Sequence, residues 1–527
     1  MYRYALAFAA SFLVFNLAAA QSLVKEGVVK MKFRNAGEII KSGQVNGYYF
    51  FLDMERTDKT NNNFQVAVYD ENLREINSIV IKRPRSYVLV EGSFNGEAFG
   101  FMFYDPKAKS VELVGFDKTL KETGGTIKQV SNIGFEASLN SIASGAEPSQ
   151  SYLVPVENQG FIYYGTKPGN KNLYFVEFLS NEMRRVWFNV CKNEENDTEL
   201  ASEAFQSGEY VGSVITKKRK RNSKDMFATL LVQNVKDGKV LFEKEMTDDK
   251  QTILLSSVDY NPIKKEIVVF GEYYVEGDRA LRDQSQGFVT VELGLDGAVL
   301  NKKTNSWATE ISNATPLDER GKFEGSNTNV LIHKSIRMSD GRIFVVGEQY
   351  KKAANAAGIG VSILSVAAAA ATGGGYVTTG PLTQLNIYNM VLFEFKPDYS
   401  IEKVHVFEKD KNVVGLPSGS EYLSPKMVSY YAKSIGGFDY LFTQKPTEKD
   451  EFIVHYVNYD REKGEASGNV LGSIVYTPEK TFTVDKMKLK RGSTDYYIYN
   501  AKHGYVMVME YSKKEKKVEA RLEQINY

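Results

Sequence analysis

The sequence predicts an all-β protein, a β-propeller of about eight (seven to eight) four-stranded blades with a small apolar, helix-compatible insertion in one of them. Three observations predict it. Aromatic side chains make up 12% of the 527 residues, with 32 Tyr and 31 Phe, and these suit pleated, half-buried strands. One local grammar returns about eight times along the chain. Its apolar runs are continuous rather than alternating, as expected of sheets covered on both faces by their neighbours.

The first residues, Met1-Tyr2-Arg3, carry one basic side chain and are followed by an apolar run over residues 5–17 and the small residues Ala18, Ala19 and Ala20. A short apolar run between a basic start and an A-x-A site reads as a signal peptide over residues 1–20. The run is short for a membrane span. Export to the periplasm, outer envelope or exterior is therefore expected, with residues 21–527 forming a single propeller domain and no transmembrane span left after cleavage. No cysteine follows the cleavage site to carry a lipid anchor, and the single cysteine, Cys191, cannot form an internal disulfide. Stability must come from core size instead.

The repeated unit starts at a turn. Asn46-Gly47 precedes an apolar run at residues 48–52, a polar loop, a second run at 64–69, and then Asp70, Leu73 and Glu75. Asn95-Gly96 opens the same order, ending in Asp117, Leu120 and Glu122. Diverged copies start near residues 160, 212, 266, 341, 437 and 504. Four short strands per unit, repeated this often, point to a propeller. Residues 28–33 are expected to pair beside the C-terminal strand and close the ring. Tandem β-sandwiches are the main alternative. An outer-membrane barrel fails because the alternation counted back from Tyr527 breaks at Glu523 and Arg521. On these repeats the chain resembles exported β-propeller-like proteins of unknown function. The resemblance is one of architecture and carries over no functional residue.

Charge excludes some partners. With 66 Lys plus Arg against 65 Asp plus Glu, net charge selects neither nucleic acid nor polyanion, and no sequence-specific nucleic-acid partner is expected. Metal, phosphate-loop and serine-hydrolase motifs are missing, and four scattered histidines do not form a metal signature. No cofactor, metal site or catalytic residue is therefore assigned. Glu272 and Glu348, with Glu510 in a similar setting, recur in step with the repeat, which favours a structural role across blades. Glu91, Asp259 and His333 lie near the ends of inner strands, where a carboxylate pair would suit glycoside cleavage.

Two irregular stretches break the repeat. Lys217, Lys218, Arg219, Lys220, Arg221 and Lys224 cluster in the expected loop between the second and third strands of one unit, and Arg279 and Arg282 lie in the same loop of the next. As a top-face loop this cluster would dock an acidic glycan, an anionic lipid surface or an acidic protein. An insertion over residues 351–386 carries the apolar stretch 353–371, whose larger side chains Ile359, Val361, Ile363, Leu364 and Val366 would meet a protein partner or touch a membrane peripherally. The expected function is an exported, non-enzymatic binding or scaffold propeller of the cell envelope. An envelope carbohydrate-active propeller, a hydrolase or lyase, is the alternative.

Overall fold

The computed structural model describes residues 22–526 except 42, 131–132, 148–149, 167–173, 192–197, 220–225, 248–249, 356–381, 447–448, 461–467 and 490–493. The signal-like segment, Lys220, Arg221, Lys224, Ile359, Val361, Ile363, Leu364 and Val366 therefore lie outside the described residues. The fold is an eight-bladed β-propeller of antiparallel sheets.

In chain order, β1 is Ser22–Glu26. The first blade follows with β2 (Val28–Lys30), β3 (Ala36–Lys41), β4 (Gln44–Met54), β5 (Asn61–Asp70) and β6 (Glu75–Pro84). Both β2 and β3 pair with β4, so they share the place of one strand, interrupted by a single turn of 3-10 helix at Phe33–Asn35. The second blade holds β7 (Val88–Phe94), β8 (Ala98–Asp105), β9 (Ser110–Asp117) and β10 (Glu122–Gln129). Helix α1 (Ile133–Ala143) leads to the third blade, β11 (Leu153–Val156), β12 (Gly160–Thr166), β13 (Tyr174–Ser180) and β14 (Arg185–Val190). The fourth comprises β15 (Thr198–Ser207), β16 (Tyr210–Lys218), β17 (Met226–Asn234) and β18 (Val240–Glu245). The fifth comprises β19 (Gln251–Asn261), β20 (Glu266–Val275), β21 (Gly287–Leu293) and β22 (Val299–Ser306). The sixth has β23 (Asn329–Arg337), β24 (Ile343–Ala354), β25 (Thr383–Phe395) and β26 (Ile401–Phe407), with β27 (Asn412–Gly415) added beside β25. After helix α2 (Pro425–Ser434) the seventh runs β28 (Tyr440–Gln444), β29 (Phe452–Asp460), β30 (Gly468–Thr477) and β31 (Thr481–Lys488). The eighth is β32 (Asp495–Asn500), β33 (Tyr505–Ser512) and β34 (Lys517–Gln524), completed by β1.

The repeat has a physical basis in the hairpin joining the last two strands of a blade. Asp70 accepts hydrogen bonds from the backbone N–H of Asn72 and Arg74, and Asp117 does the same for Thr119 and Lys121. Between them Leu73 and Leu120 sit at φ 61° and 65° with their side chains buried. Burial of the leucine compensates a conformation that non-glycine residues rarely adopt. Met183 repeats this in the third blade, at φ 58° and buried.

Two compact units divide the chain: Met1–Tyr87 with Arg491–Tyr527, and Val88–Lys490. In the first, Tyr48, Phe50, Leu52 and Tyr69 pack with Met507, Met509, Val518 and Leu522 in one core. There β1 pairs with β34, Ser22 opposite Arg521 and Glu26 opposite Lys517. The expected closing segment, residues 28–33, is displaced by one strand: β2 pairs with β4, and the segment reaches back to the last blade through single hydrogen bonds, Val28 N–H to the Lys516 carbonyl at 2.9 Å and the Tyr497 and Tyr499 hydroxyls to the Met31 and Phe33 carbonyls at 2.9 and 2.8 Å. The break at Gly27, φ 77°, lets the chain leave one blade and enter the next. In the second unit the cores lie between successive sheets, as where Phe344, Val346 and Leu392 meet Phe452, Val454 and Tyr476. Of the eight expected starts, the one near residue 437 opens on the first strand of its blade, β28, whereas the others open on the second. The polar run 461–467 separates β29 from β30 and hides that blade's true repeat.

Candidate functional site

The sixth blade departs from its neighbours. Its central hairpin extends to Ala354 and resumes at Thr383, and β27 pairs with the extension, Gln384 opposite Gly415 and Ile387 opposite Asn412. Helix α2 covers it. Ser424 caps the helix by accepting from Met427 N–H, and Pro425 takes the first helical position, where no N–H is needed. Val428 and Ala432 then pack on Leu331, Tyr350, Leu385, Ile387, Leu416 and Phe438. The result is a platform with its own small core.

Two buried carboxylates tie this platform down. Glu272 on β20 and Glu348 on β24 each follow a glycine at the same place in their blades. Glu272 accepts hydrogen bonds from Ser285 Oγ at 2.9 Å and from Lys426 Nζ, on α2, at 2.6 Å. The Trp307 indole N–H in turn donates to Ser285 Oγ at 3.2 Å. Glu348 accepts the backbone N–H of Asp439 and Tyr440, at 3.1 and 2.9 Å, where the chain enters β28. Lys409 Nζ stands 3.3 Å from Glu348 Oε1 and 2.5 Å from Asp439 Oδ2. Asp439 also accepts from Asn412 Nδ2 at 2.7 Å and the Tyr459 hydroxyl at 3.2 Å. All three charged side chains of this second group are shut off from solvent.

Burial sets the protonation. Burial works to raise the Glu348 carboxyl, but His333, Lys409 and the Tyr440 N–H overcome it and hold it below the ordinary carboxylate range. Asp439 is pushed up to about 6 by burial, despite Lys409. His333, stacked on Tyr440 with its Nε2 3.0 Å from Glu348 Oε2, is lowered by burial and stays neutral near pH 7.

The structure separates the other candidates. Glu91, on β7, accepts from Ser151 Oγ and from the backbone N–H of Tyr152 and Leu153 at the start of β11. Burial pushes it up to about 7. Asp259 lies exposed on β19. These carboxylates do not converge: Glu91 is in the second blade, Asp259 in the fifth, and His333 belongs to the Glu348 group. Glu510 pairs with Arg521.

The basic cluster is not one solvated loop. Lys217 and Lys218 belong to β16, and Lys217 is buried, 3.9 Å from Glu243. Arg219 grips Glu245 with both terminal nitrogens and covers the Phe227 ring. Strand alternation turns Lys217 inward, which a count of consecutive basic residues misses. Arg279 pairs with Asp283 through two hydrogen bonds, whereas Arg282 is exposed. Among the described residues no cluster of three metal-ligating side chains occurs, and no helix is long and apolar enough to cross a membrane.

The platform carries apolar side chains on its outside: Val413 on β27, Tyr422 before α2, Tyr431 on it and Ile435 after it, with Tyr422 84% exposed. Sequence reading missed Lys409, Lys426, Asp439 and helices α1 and α2. Ser424-Pro425 and Gly436-Gly437 were available signals for α2; nothing in the pattern marks the lysines.

In fold the chain is similar to prolyl oligopeptidase B from Galerina marginata (9% identity, TM-score 0.38, 93% of this chain and 54% of that one). It spans about half the length of that protein. It is also similar to TolB from Acinetobacter baumannii (10% identity, TM-score 0.26, 91% and 80%) and to the polysaccharide lyase Uly1 (9% identity, TM-score 0.32, 97% and 98%). No curated protein matches the sequence. A family of unknown function, DUF6770, matches residues 1–526, and the chain belongs to that family.

Proposed function

We propose that this is an exported, non-catalytic propeller of the cell envelope that docks a protein partner on the platform of its sixth blade. The observation that carries the reading is the platform itself. Large apolar side chains stand exposed on an element that two buried ion-paired groups hold rigid, and rigid apolar anchors are what a protein interface needs. The apolar insertion leaves the chain from the same hairpin, after Ala354. Export rests on the signal-like residues 1–20. The non-catalytic part rests on Glu91, Glu272 and Glu348, whose oxygens hold backbone N–H groups and lysines rather than standing available to a substrate.

The polyanion expectation now leans on Lys218, Lys220, Arg221, Lys224 and Arg282, since Lys217 and Arg219 serve internal carboxylates. The test is photo-crosslinking in intact cells from residue 422, with and without Tyr431→Ser and Ile435→Ser. A discrete protein adduct in the envelope fraction, lost in the double variant at unchanged melting temperature, supports the proposal. Retention of the chain in the cytoplasm, or an adduct indifferent to the substitutions, sinks it.

A further inference from the structure

Blades of a propeller meet through apolar faces, and the one between the third and fourth blades carries a polar stretch beside its apolar core. On β17 the residues Thr229, Leu231 and Gln233 point to one side, as alternate strand positions must. The pairing places Glu245 beside Thr229, Glu243 beside Leu231 and Val240 beside Gln233 on β18. Opposite lie Asn189, Val190 and Cys191 at the end of the third blade. Together with Lys217 they line a cleft of about 540 Å³, within the range of small-molecule sites. Gln233 and Thr229 are 1% and 2% exposed. The Gln233 amide finds no partner for either its oxygen or its nitrogen among the described residues, and the Thr229 hydroxyl oxygen finds none. An unsatisfied buried polar group costs about 1–3 kcal/mol; three such atoms on one wall of a cleft need a reason.

We infer that this cleft binds a neutral saccharide unit through Gln233 and Thr229, a site independent of the sixth-blade platform. Charge argues for a neutral ligand. Lys217 faces Glu243 at 3.9 Å and Arg219 holds Glu245, so each acid lining the cleft has its own cation. The hydrogen-bonding capacity that remains is uncharged: one amide oxygen, one amide nitrogen and one hydroxyl. Sugar hydroxyls both donate and accept, and two on neighbouring carbons match the donor and acceptor of a single carboxamide. Val190 and Val240, both with surface open to the cleft, offer apolar contact to the C–H groups of a sugar ring. A peptide would fit less well. Added as a strand it would pair with an exposed sheet edge, whereas the unpartnered atoms lie on the face of an inner strand.

The experiment uses the full mature chain. Binding is measured on an array of neutral mono- to tetrasaccharides, with uronic-acid oligomers and short uncharged peptides as the other arms. Cys191, the one cysteine, reports occupancy through its rate of thiol labelling. The expected result is binding to neutral glycans that changes little with salt and slows labelling of Cys191. Gln233→Met and Thr229→Val should each weaken it by roughly tenfold, about 1.4 kcal/mol. Both variants should melt no lower than the wild type without sugar, because each removes an unsatisfied group at nearly constant shape. Lower melting would mean that these atoms have a structural partner, and would overturn the inference. So would binding confined to the acidic or peptide arms, binding unaffected by either substitution, or no binding to any neutral glycan on the array.

Discussion

Glu272 and Glu348 occupy one place in the repeat and lead different lives. Both follow a glycine on the second strand of a blade, and both are buried. Glu272 meets one lysine and one serine; Glu348 meets Lys409, which it shares with Asp439, and the backbone of the next blade. The repeat therefore dictates where a carboxylate stands. The added elements dictate what it holds. A glutamate inherited with the blade becomes an anchor for whatever the chain later builds on top of it.

The largest break in that comparison should come from Lys409→Met. It leaves Glu348 and Asp439 buried without their cation, and losing one partner of a buried pair costs about 3–5 kcal/mol. We expect a strongly lowered melting temperature and early proteolysis at residues 409–440, read by calorimetry and limited digestion. Lys426→Met should cost less, about 3 kcal/mol at the lower end of that range, since Ser285 still serves Glu272. Equal losses in the two variants would show that the second carboxylate adds nothing.

The same contrast explains what could be read from sequence. Repeats report strands, because the pattern of turn, apolar run and buried left-handed leucine has to recur for blades to stack. The glutamates were legible for the same reason, and their structural role follows from it. Their partners were not. Lys409 and Asp439 lie 30 residues apart on connecting segments, outside any period, with β27 and α2 between them in sequence. Lys217 misled in the opposite direction, as one of a basic run in sequence and a buried side chain in space. The cleft beside Gln233 was invisible, since a glutamine in a strand looks the same whether solvent or a neighbouring blade covers it.

A finer test concerns the glycines that precede the two glutamates. A Cβ on Gly271 would fall 2.3 Å from the Leu254 carbonyl oxygen, and one on Gly347 would fall 2.8 Å from that of Leu331. Both contacts are with backbone that has little room to move. Overpacking of this kind costs about 1–3 kcal/mol. Gly271→Ala should sit near the top of that range and Gly347→Ala near the bottom, measured as melting shifts under one scan rate. The reverse order would show the sixth blade to be the stiffer of the two.

The smallest effect expected is one of pH, and it is specific to the Glu348 group. Asp439 holds its proton up to about 6 in the folded protein, against about 3.9 for an unperturbed aspartate. Between those values the folded state binds the proton more tightly than the unfolded chain does. The stabilising contribution is therefore full below about pH 4 and is lost as pH rises through 6. Glu348 is shifted the other way, so its contribution is present above the ordinary glutamate range and is lost only in more acidic solution. Of the two carboxylates, Asp439 is thus the one whose contribution changes from pH 4.5 to 7, and comparison with a variant at that position separates it from His333. Asp439→Asn keeps an acceptor for Asn412 and Tyr459 while removing the titration. The melting difference between wild type and this variant should drift by a few degrees across that interval, to the disadvantage of the wild type at the higher pH. A constant difference would mean that Lys409 keeps Asp439 ionised throughout, and that the two carboxylates of the sixth-blade anchor are charged together.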